Sequence, residues 1–409
     1  MIGNMRFIHS ADWQLGARFE RFGTKGEALR RARLQTLRTA LQAAHDHATD
    51  AFLIAGDLFE DAQVDDTVIE AALDAFRQFP NVAVFILPGN HDPNNGPSAV
   101  WQRRPFEQKP ANVNLLLEPR VVEVAGALLV ASPLKQKRST SDPSQKLAEL
   151  ARSLPGDKMR IGITHGALAI PGKHQPNDFP IALDAATRAG LDYLAVGHWH
   201  TWQRYDQNRL IMPGTPEPDD FGQDAGSVAL VELTARGHPP TVQRLPVATL
   251  QWTELNLDFL NLDAAKAAME QRLDSLLPQA DRIVLRVTLT GSVSPQLFDE
   301  TRQWLDAKLQ PYLVTEIRDE TSLAFLPAEL DALQQQHPLL AQTLGDLAQM
   351  EHFATNAPLP AAFSPSALIG LPEAQALLDN AKIDLRQLDI GFFKLAKQLL
   401  SAKLREAQR

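Results

Sequence analysis

Five short apolar runs in the first half of the chain each end at side chains that can bind a metal ion. The run at residues 51–55 stops at Gly56-Asp57, and the run at residues 82–87 is followed by Gly89-Asn90. Such runs are typical of buried parallel strands, and open α/β sheets keep their sites at the carboxyl ends of the strands. If the five strands lie side by side in one sheet, their ends meet in one crevice. The side chains delivered there are Asp12, Gln14, Asp57, Asn90, His165, His198 and His200.

These seven side chains offer oxygen and imidazole nitrogen to a metal. The chain contains no cysteine, which excludes thiolate ligands and a disulfide framework. Carboxylate, amide and imidazole donors suit two divalent cations such as Mn, Mg, Fe or Zn, with Asp57 as the central bridge. Two cations about 3.5 to 4 Å apart can clamp a phosphate oxygen and generate a bridging hydroxide for in-line attack on phosphorus. Because only Asp12 and Asp57 offset their charge directly, the pocket favours an anionic substrate.

Three further residues accompany the ligand candidates. His91 follows Asn90 in one tight turn, which places a proton donor where a leaving oxygen would depart. Asp92 is predicted to orient that imidazole or to raise its pKa, so His91 and Asp92 are the candidate catalytic residues. His9 either donates to a ligating carboxylate or is a core histidine.

Arginine is concentrated in segments beside these turns. One segment lies between residues 18 and 38, where Glu20 and Glu27 are the opposing acids. One interpretation is a rim that follows the phosphates of a nucleic acid, and the alternative is a set of solvated side chains on helices and loops. The formal net charge of −9 argues against non-specific polyanion binding by the molecule as a whole. The candidate nucleic-acid contacts are Arg18, Arg21, Arg30, Arg31, Arg103 and Arg104.

The 409 residues exceed one compact core of ordinary size, so we expect several domains. Alternating strand-like and helix-like segments predict an α/β domain at residues 1–247, a layered sandwich of mixed sheets flanked by helices. Residues 248–320 follow the order strand, helix, strand, helix, strand, which predicts a small α+β domain. Residues 321–409 are predicted to be helical, and the last helix, 385–406, carries a broad apolar stripe. That stripe either packs against its own protein or docks a partner.

The sequence also predicts where the protein resides. No run approaches the roughly 20 apolar residues that a membrane helix needs, and the first residues lack the apolar core of a signal peptide. Hydrophobic residues make up 44% and charged residues 22%, which is the usual soluble mixture. We therefore expect a cytoplasmic protein that does not engage a membrane.

The order and spacing of five motifs resemble the calcineurin-like metallophosphoesterase superfamily. Within it, the chain resembles bacterial DNA-repair exonucleases of the SbcD and YhaO type and the nuclease subunit of their archaeal and eukaryotic double-strand-break repair relatives. The narrower likeness depends on the His-Ser-Ala-Asp opening, the arginine-rich helix after it and the segment 212–217. The motifs are His9-x-x-Asp12-x-Gln14, Gly56-Asp57, Gly89-Asn90-His91-Asp92, Thr164-His165-Gly166 and Gly197-His198-Trp199-His200.

The resemblance implies a catalytic role for His91, manganese as the usual activator and an SMC-like ATPase of the SbcC type as partner, docked on a C-terminal helical segment. The small α+β domain would cap the DNA. Gln14 departs from the family pattern, which usually has histidine there, and a glutamine oxygen donates more weakly than imidazole. The cation nearest Gln14 is therefore expected to be labile. By resemblance, Asp12, Gln14, Asp57 and His200 hold that cation, and Asp57, Asn90, His165 and His198 hold the other.

Three functions compete on this sequence. The first is a metal-dependent DNA nuclease in DNA repair, a 3′-to-5′ exonuclease with some endonuclease activity. The second is a phosphodiesterase or phosphatase that acts on nucleotides or other small molecules. The third is a non-catalytic DNA- or partner-binding subunit in which Gln14 marks a decayed metal site. Whether the protein forms a homodimer is left open.

Overall fold

The computed structural model describes residues 4–323. Two compact units are present: the first contains the chain up to Thr253 together with Arg282–Val284, and the second begins at Glu254. The predicted helical region beyond residue 323, including the helix at 385–406, lies outside the described residues. Within residues 4–323, no helix has the length and apolar character needed to span a membrane.

Strands and helices alternate along the described chain, as the sequence predicts. The strands are β1 (Met5–Ser10), β2 (Ala51–Ala55), β3 (Val84–Leu87), β4 (Val113–Leu115), β5 (Arg120–Val124), β6 (Ala127–Ser132), β7 (Arg160–His165), β8 (Tyr193–Gly197), β9 (Gln203–Tyr205), β10 (Leu210–Met212), β11 (Ser227–Leu233), β12 (Thr241–Pro246), β13 (Gln251–Asp258), β14 (Ile283–Val293) and β15 (Val314–Leu323). The α-helices are α1 (Gly26–Asp46), α2 (Asp66–Arg77), α3 (Arg104–Glu107), α4 (Ser144–Ala151), α5 (Ala185–Arg188), α6 (Leu262–Leu276) and α7 (Pro295–Leu309).

The first unit contains two six-stranded mixed sheets. The first sheet has the order β12-β11-β1-β2-β3-β4, and the second has the order β5-β6-β7-β8-β10-β9. In the first, β1 to β4 run parallel; in the second, β6, β7, β8 and β10 do. Every residue of β2, β3 and β8 is buried, because strands covered on both faces are apolar throughout rather than alternating.

The expectation that all five ligand-bearing strands share one sheet is wrong. Strands β1, β2 and β3 lie in the first sheet, whereas β7 and β8 lie in the second. The reason is that a continuous apolar run shows that a strand is buried but carries no information about its neighbours. The prediction of mixed sheets flanked by helices is confirmed.

The two sheets share one apolar core. Phe7 and Leu53 of the first sheet belong to the same buried cluster as Ile161 and Tyr193 of the second. The rings of Phe7 and Tyr193 meet edge to face, with 5.3 Å between their centroids. This packing brings the carboxyl ends of strands from both sheets to one place.

Helices cover the outer faces of the sheets. Helix α1 buries Leu37 and Leu41 at i, i+4 spacing, and both pack in one cluster with Ile8 and Ile54. Helix α2 packs in the same cluster, and the side chain of its N-cap residue, Asp65, accepts a hydrogen bond from the Thr67 amide. On the second sheet, α4 and α5 pack over β6 and β8.

The second unit has the order of elements that the sequence predicts for the small α+β domain. A three-stranded sheet, β13-β14-β15, is joined through α6 and α7. Strand β14 alternates along much of its length, with Leu285, Val287 and Leu289 buried. Arg286, on its other face, pairs with Glu254 at 3.1 Å and Glu316 at 3.2 Å.

The close approach of the two sheets at Gly197 provides a test of this packing. A Cβ atom there would lie 2.4 Å from the Ala55 carbonyl oxygen and 2.5 Å from Ala11 Cβ. Gly197→Ala should therefore lower the free energy of unfolding by about 1 to 3 kcal/mol, the usual cost of overpacking. Chemical denaturation measures the change. Gly156→Ala is the matched control, since a Cβ there meets nothing within 4 Å, and an equal effect of both changes would contradict the packing.

Candidate metal centre

Tight turns at the strand ends position the candidate ligands. Asp12, Gln14 and Asp57 have φ values of 54°, 42° and 53°, and His198 has 130°. Such angles are costly for residues with a side chain and are found mainly where a site requires them. The turns support one another through backbone hydrogen bonds, from Asp12 N to Gly56 O at 3.2 Å and from Gln14 N to Asp57 O at 3.0 Å.

The structure brings the seven predicted ligands together from two sides. Asp12, Gln14, Asp57 and Asn90 follow strands of the first sheet, and the three histidines come from β7 and β8. Oxygen donors and imidazoles therefore arrive from different sheets. The two groups meet directly at Gln14, whose Nε2 lies 3.0 Å from His200 Nε2.

Asp12, Asp57 and His165 form the buried centre of the site. Each is at most 1% exposed, and one ligand atom from each lies within 4.8 Å of the others. His165 Nε2 is 3.3 Å from Asp57 Oδ2 and 2.8 Å from Asn90 Oδ1. The same Asn90 oxygen lies 2.9 Å from Nδ1 of His198, so Asn90 connects two imidazoles.

The charges of these groups depend on one another. Burial alone would raise the pKa of Asp57, but the charge and hydrogen bond of His165 outweigh burial and hold it well below its usual value. Burial disfavours the charged form of His165, yet Asp57 and then Asp12 raise its pKa to about 9. Burial raises the pKa of Asp12, although both oxygens accept from the His198 amide at 3.0 Å.

The donor set fits divalent cations. Two buried carboxylates require positive charge beside them, and a protonated His165 supplies it in the metal-free protein. Carboxylate, amide and imidazole groups at these distances are the oxygen and nitrogen ligands that Mn and related cations accept. The arrangement can therefore hold divalent metal, with Asp57 central among the donors.

Asp92 does not have the predicted role beside His91. Its carboxylate accepts hydrogen bonds from Gly89 N at 2.7 Å and Phe59 N at 3.0 Å, and burial and the charge of Asp57 raise its pKa to about 7. The His91 Nδ1 atom instead lies 2.8 Å from the Glu60 carbonyl oxygen. These two hydrogen bonds fix the loops that carry the ligands. Asp92 does not meet the His91 ring because consecutive side chains in the tight turn point in different directions.

Of the two roles predicted for His9, the structure supports that of a core histidine. Its ring is fully buried, with Nδ1 2.9 Å from the Tyr193 hydroxyl rather than beside a ligating carboxylate. Burial lowers its pKa to about 3, so the ring is neutral. His9 is therefore a core histidine in the layer between the sheets.

The candidate nucleic-acid rim is more strongly paired than the sequence suggests. Besides Glu20 and Glu27 within the segment, folding brings Asp220 and Asp66 from elsewhere in the chain to these arginines. Arg18 and Arg30 still line a surface cavity of about 390 Å³ beside Gly16 and Glu60, and Arg104 is exposed. The pairs are Arg18–Glu20 at 3.6 Å, Arg21–Asp220 at 2.9 Å, Arg30–Glu27 at 2.7 Å, Arg31–Glu27 at 4.0 Å and the close pair Arg103–Asp66.

Two carboxylates that the sequence did not reveal contact the site histidines. Asp178 Oδ2 lies 2.9 Å from His198 Nε2, and Asp219 Oδ2 lies 2.9 Å from His200 Nδ1. Asp178 lies in a loop with no motif of its own. Asp219 follows the Met212-to-Glu217 segment by two residues. Its closeness to that segment is the sequence signal from which its place in the site could have been predicted.

Comparison with known proteins agrees with this geometry. Residues 5–202 match the family described as calcineurin-like phosphoesterase. These residues therefore form a calcineurin-like metallophosphoesterase domain, and that family implies a phosphoester hydrolase.

Three curated relatives are similar at low identity. The chain is 24% identical over 354 residues to the uncharacterised metallophosphoesterase YhaO of Bacillus subtilis, covering 78% of this chain and 80% of the relative. It is 28% identical over 306 residues to SbcD, a subunit of the nuclease SbcCD of Rhodobacter capsulatus, with 60% and 71% covered. It is 26% identical over 231 residues to the DNA double-strand break repair protein Mre11 of Methanopyrus kandleri, with 53% and 50% covered.

Metal binding is expected to release a proton from the site. With a pKa of about 9, His165 is protonated at neutral pH, but a histidine must be neutral to bind a metal. Binding of Mn²⁺ at neutral pH should therefore release about one proton, and the affinity should rise with pH and level off above the pKa. Calorimetry in buffers of different ionisation enthalpy measures the release, and a binding enthalpy that is the same in every buffer would contradict it.

Proposed function

We propose that the protein is a metal-dependent DNA nuclease in DNA repair, a 3′-to-5′ exonuclease with some endonuclease activity. The observation that carries the proposal is the buried assembly of Asp12, Asp57 and His165, joined through Asn90 to His198. The names of two relatives, a nuclease subunit and a double-strand break repair protein, support DNA as the substrate.

The ligands divide into two groups around Asp57. Asp12, Gln14 and His200 would hold one cation, and Asn90, His165 and His198 the other; the Gln14–His200 and Asn90–His198 contacts support this division. Two divalent cations, for which we propose Mn²⁺ with Mg²⁺ or Fe as alternatives, would supply Lewis-acid activation of water and neutralise the phosphate charge. The side chains themselves fix the positions at which a phosphate can bind.

His91 is suited to proton transfer at the leaving oxygen. Its backbone N donates to Asp57 Oδ1 at 2.9 Å, which ties the residue to the centre of the site. Donation from Nδ1 to the Glu60 carbonyl oxygen at 2.8 Å leaves Nε2 to exchange a proton with the substrate. The ring is partly exposed, so a substrate can reach it.

The paired arginines favour a second candidate, hydrolysis of nucleotides or other small phosphodiesters. A long DNA strand releases counterions in proportion to the phosphates that free cationic groups contact, and several rim arginines are already neutralised by carboxylates. Binding that depends steeply on salt supports DNA, whereas faster turnover of chromogenic phosphodiesters with little salt dependence supports the second candidate.

Site variants provide the direct test of nuclease activity. Asp57→Ala should abolish Mn²⁺-dependent cleavage of single- and double-stranded DNA, because it removes the residue shared by both ligand groups. His91→Ala should lower cleavage by about 10²- to 10⁴-fold, the usual contribution of acid–base catalysis, while leaving metal binding intact. His45→Ala, an exposed residue of α1, is the control. Equal cleavage by parent, Asp57→Ala and His91→Ala would refute the proposal.

Gln14 provides a test of the expectation that the cation nearest to it binds with the lower affinity. Its side chain is 6% exposed and already directed towards His200, so an imidazole at this position would face the same ligands. Gln14→His should raise the affinity of the weaker Mn²⁺ about tenfold or more, as expected when a stronger donor replaces an amide. Calorimetric titration resolves the two affinities. Tight binding of two Mn²⁺ in the parent, unchanged by the substitution, would contradict the expectation, and loss of both with DNA binding intact would favour a non-catalytic subunit.

An SMC-like ATPase of the SbcC type is the partner that we propose. The support is the name of the Rhodobacter relative, which is a subunit of a larger nuclease. The helical segment predicted to dock that partner lies beyond the described residues, and the possible homodimer is likewise a proposal. Co-purification with the ATPase tests the assignment.

A further inference from the structure

Asp178 and Asp219 each face one histidine of the metal centre from outside. Asp178 lies between β7 and α5, with Oδ2 2.9 Å from His198 Nε2. Asp219 lies between β10 and β11, with Oδ2 2.9 Å from His200 Nδ1. A neutral imidazole carries one N–H, so donation to a carboxylate determines which nitrogen keeps its lone pair.

We propose that Asp178 and Asp219 are positioning residues that fix the orientation of the His198 and His200 rings in the metal centre. His198 Nε2 lies 2.9 Å from Asp178 Oδ2, and its Nδ1 lies 2.9 Å from Asn90 Oδ1. Donation from His200 Nδ1 to Asp219 leaves Nε2, which lies on the Gln14 side. The inference rests on the proposed pair of cations and is independent of whether the substrate is DNA.

Asp219 is held in place by groups other than His200. Gln223 Nε2 donates to its Oδ1 at 2.6 Å, and the buried guanidinium of Arg33 lies 3.4 Å from its Oδ2. Arg33 is itself anchored by donation to the Trp13 carbonyl oxygen at 2.7 Å. The carboxylate thus has a fixed position against which the His200 ring is oriented.

Asp178 is held by its backbone. Its carbonyl oxygen accepts from Ala167 N at 3.0 Å, and Phe179 N donates to Ser139 O at 2.9 Å. The loop packs tightly on the end of β7, since a Cβ at Gly166 would lie 2.4 Å from the Phe179 carbonyl oxygen. Asp178 is therefore fixed relative to the strand end that carries His165.

The His200 tautomer is observable in the metal-free protein. Nitrogen-15 NMR of the full chain distinguishes Nδ1–H from Nε2–H. We expect the Nδ1–H form for His200, because Asp219 Oδ2 lies at Nδ1 and the Gln14 amide nitrogen lies at Nε2. The Nε2–H form would overturn the role of Asp219 even if every variant failed to fold.

Metal titration then tests the consequence. Asp178→Asn and Asp219→Asn should each lower the affinity for one of two Mn²⁺ ions about 10- to 100-fold, the usual effect of losing a group that orients a ligand. The matched controls are Asp184→Asn and Asp220→Asn, whose carboxylates pair at the surface with Arg188 and Arg21. Parent-like binding in both test variants overturns the positioning role alone, whereas a parent that binds no Mn²⁺ overturns the metal centre and this proposal with it.

Discussion

Two buried carboxylates, Asp12 and Asp57, determine what the rest of the site must supply. Each is removed from water, and a buried carboxylate without a partner costs several kcal/mol. His165 meets that requirement, as shown by its pKa of about 9 and by its contact with Asp57. The same charge that stabilises the metal-free protein occupies one of the donors that a cation would need. Folding and metal binding thus use the same residues in different protonation states.

The carboxylates also explain why the surrounding backbone is unusual. A Cβ at Gly89 would lie 2.1 Å from Asp57 Oδ1, and one at Gly56 would lie 2.1 Å from His165 Nδ1, so the turns need glycine to close around their ligands. Asp12, Gln14 and Asp57 adopt left-handed φ values in the same turns. Strain of about 1 to 3 kcal/mol at each such residue persists where surrounding structure over-determines it. Here the cross-turn hydrogen bonds provide that constraint.

Much of the site could be predicted because its residues follow strand ends. The runs before Asp57 and Asn90 identify buried strands, and the topology of α/β folds then places their ends together. Asp92 was harder, because direction within a tight turn depends on backbone angles that residue type does not fix. His9 was harder because it lies within β1, and the groups that its ring meets depend on how the two sheets pack. Asp178 and Asp219 were not identified from the sequence, since their roles arise from loops that folding brings to the histidines. The distribution of the ligand-bearing strands between the two sheets escaped prediction for a related reason: strand pairing is a long-range property.

That division has a consequence for the stability of the protein. Carboxylate and amide donors come from one sheet and imidazoles from the other, so a bound cation would be a non-covalent cross-link between them. A ligand that binds only the folded state adds about 4 kcal/mol at a thousandfold excess over its dissociation constant. The supply of cations would then govern how often the two sheets separate at this site, and resistance to proteolysis would report the fraction of the protein that has metal bound.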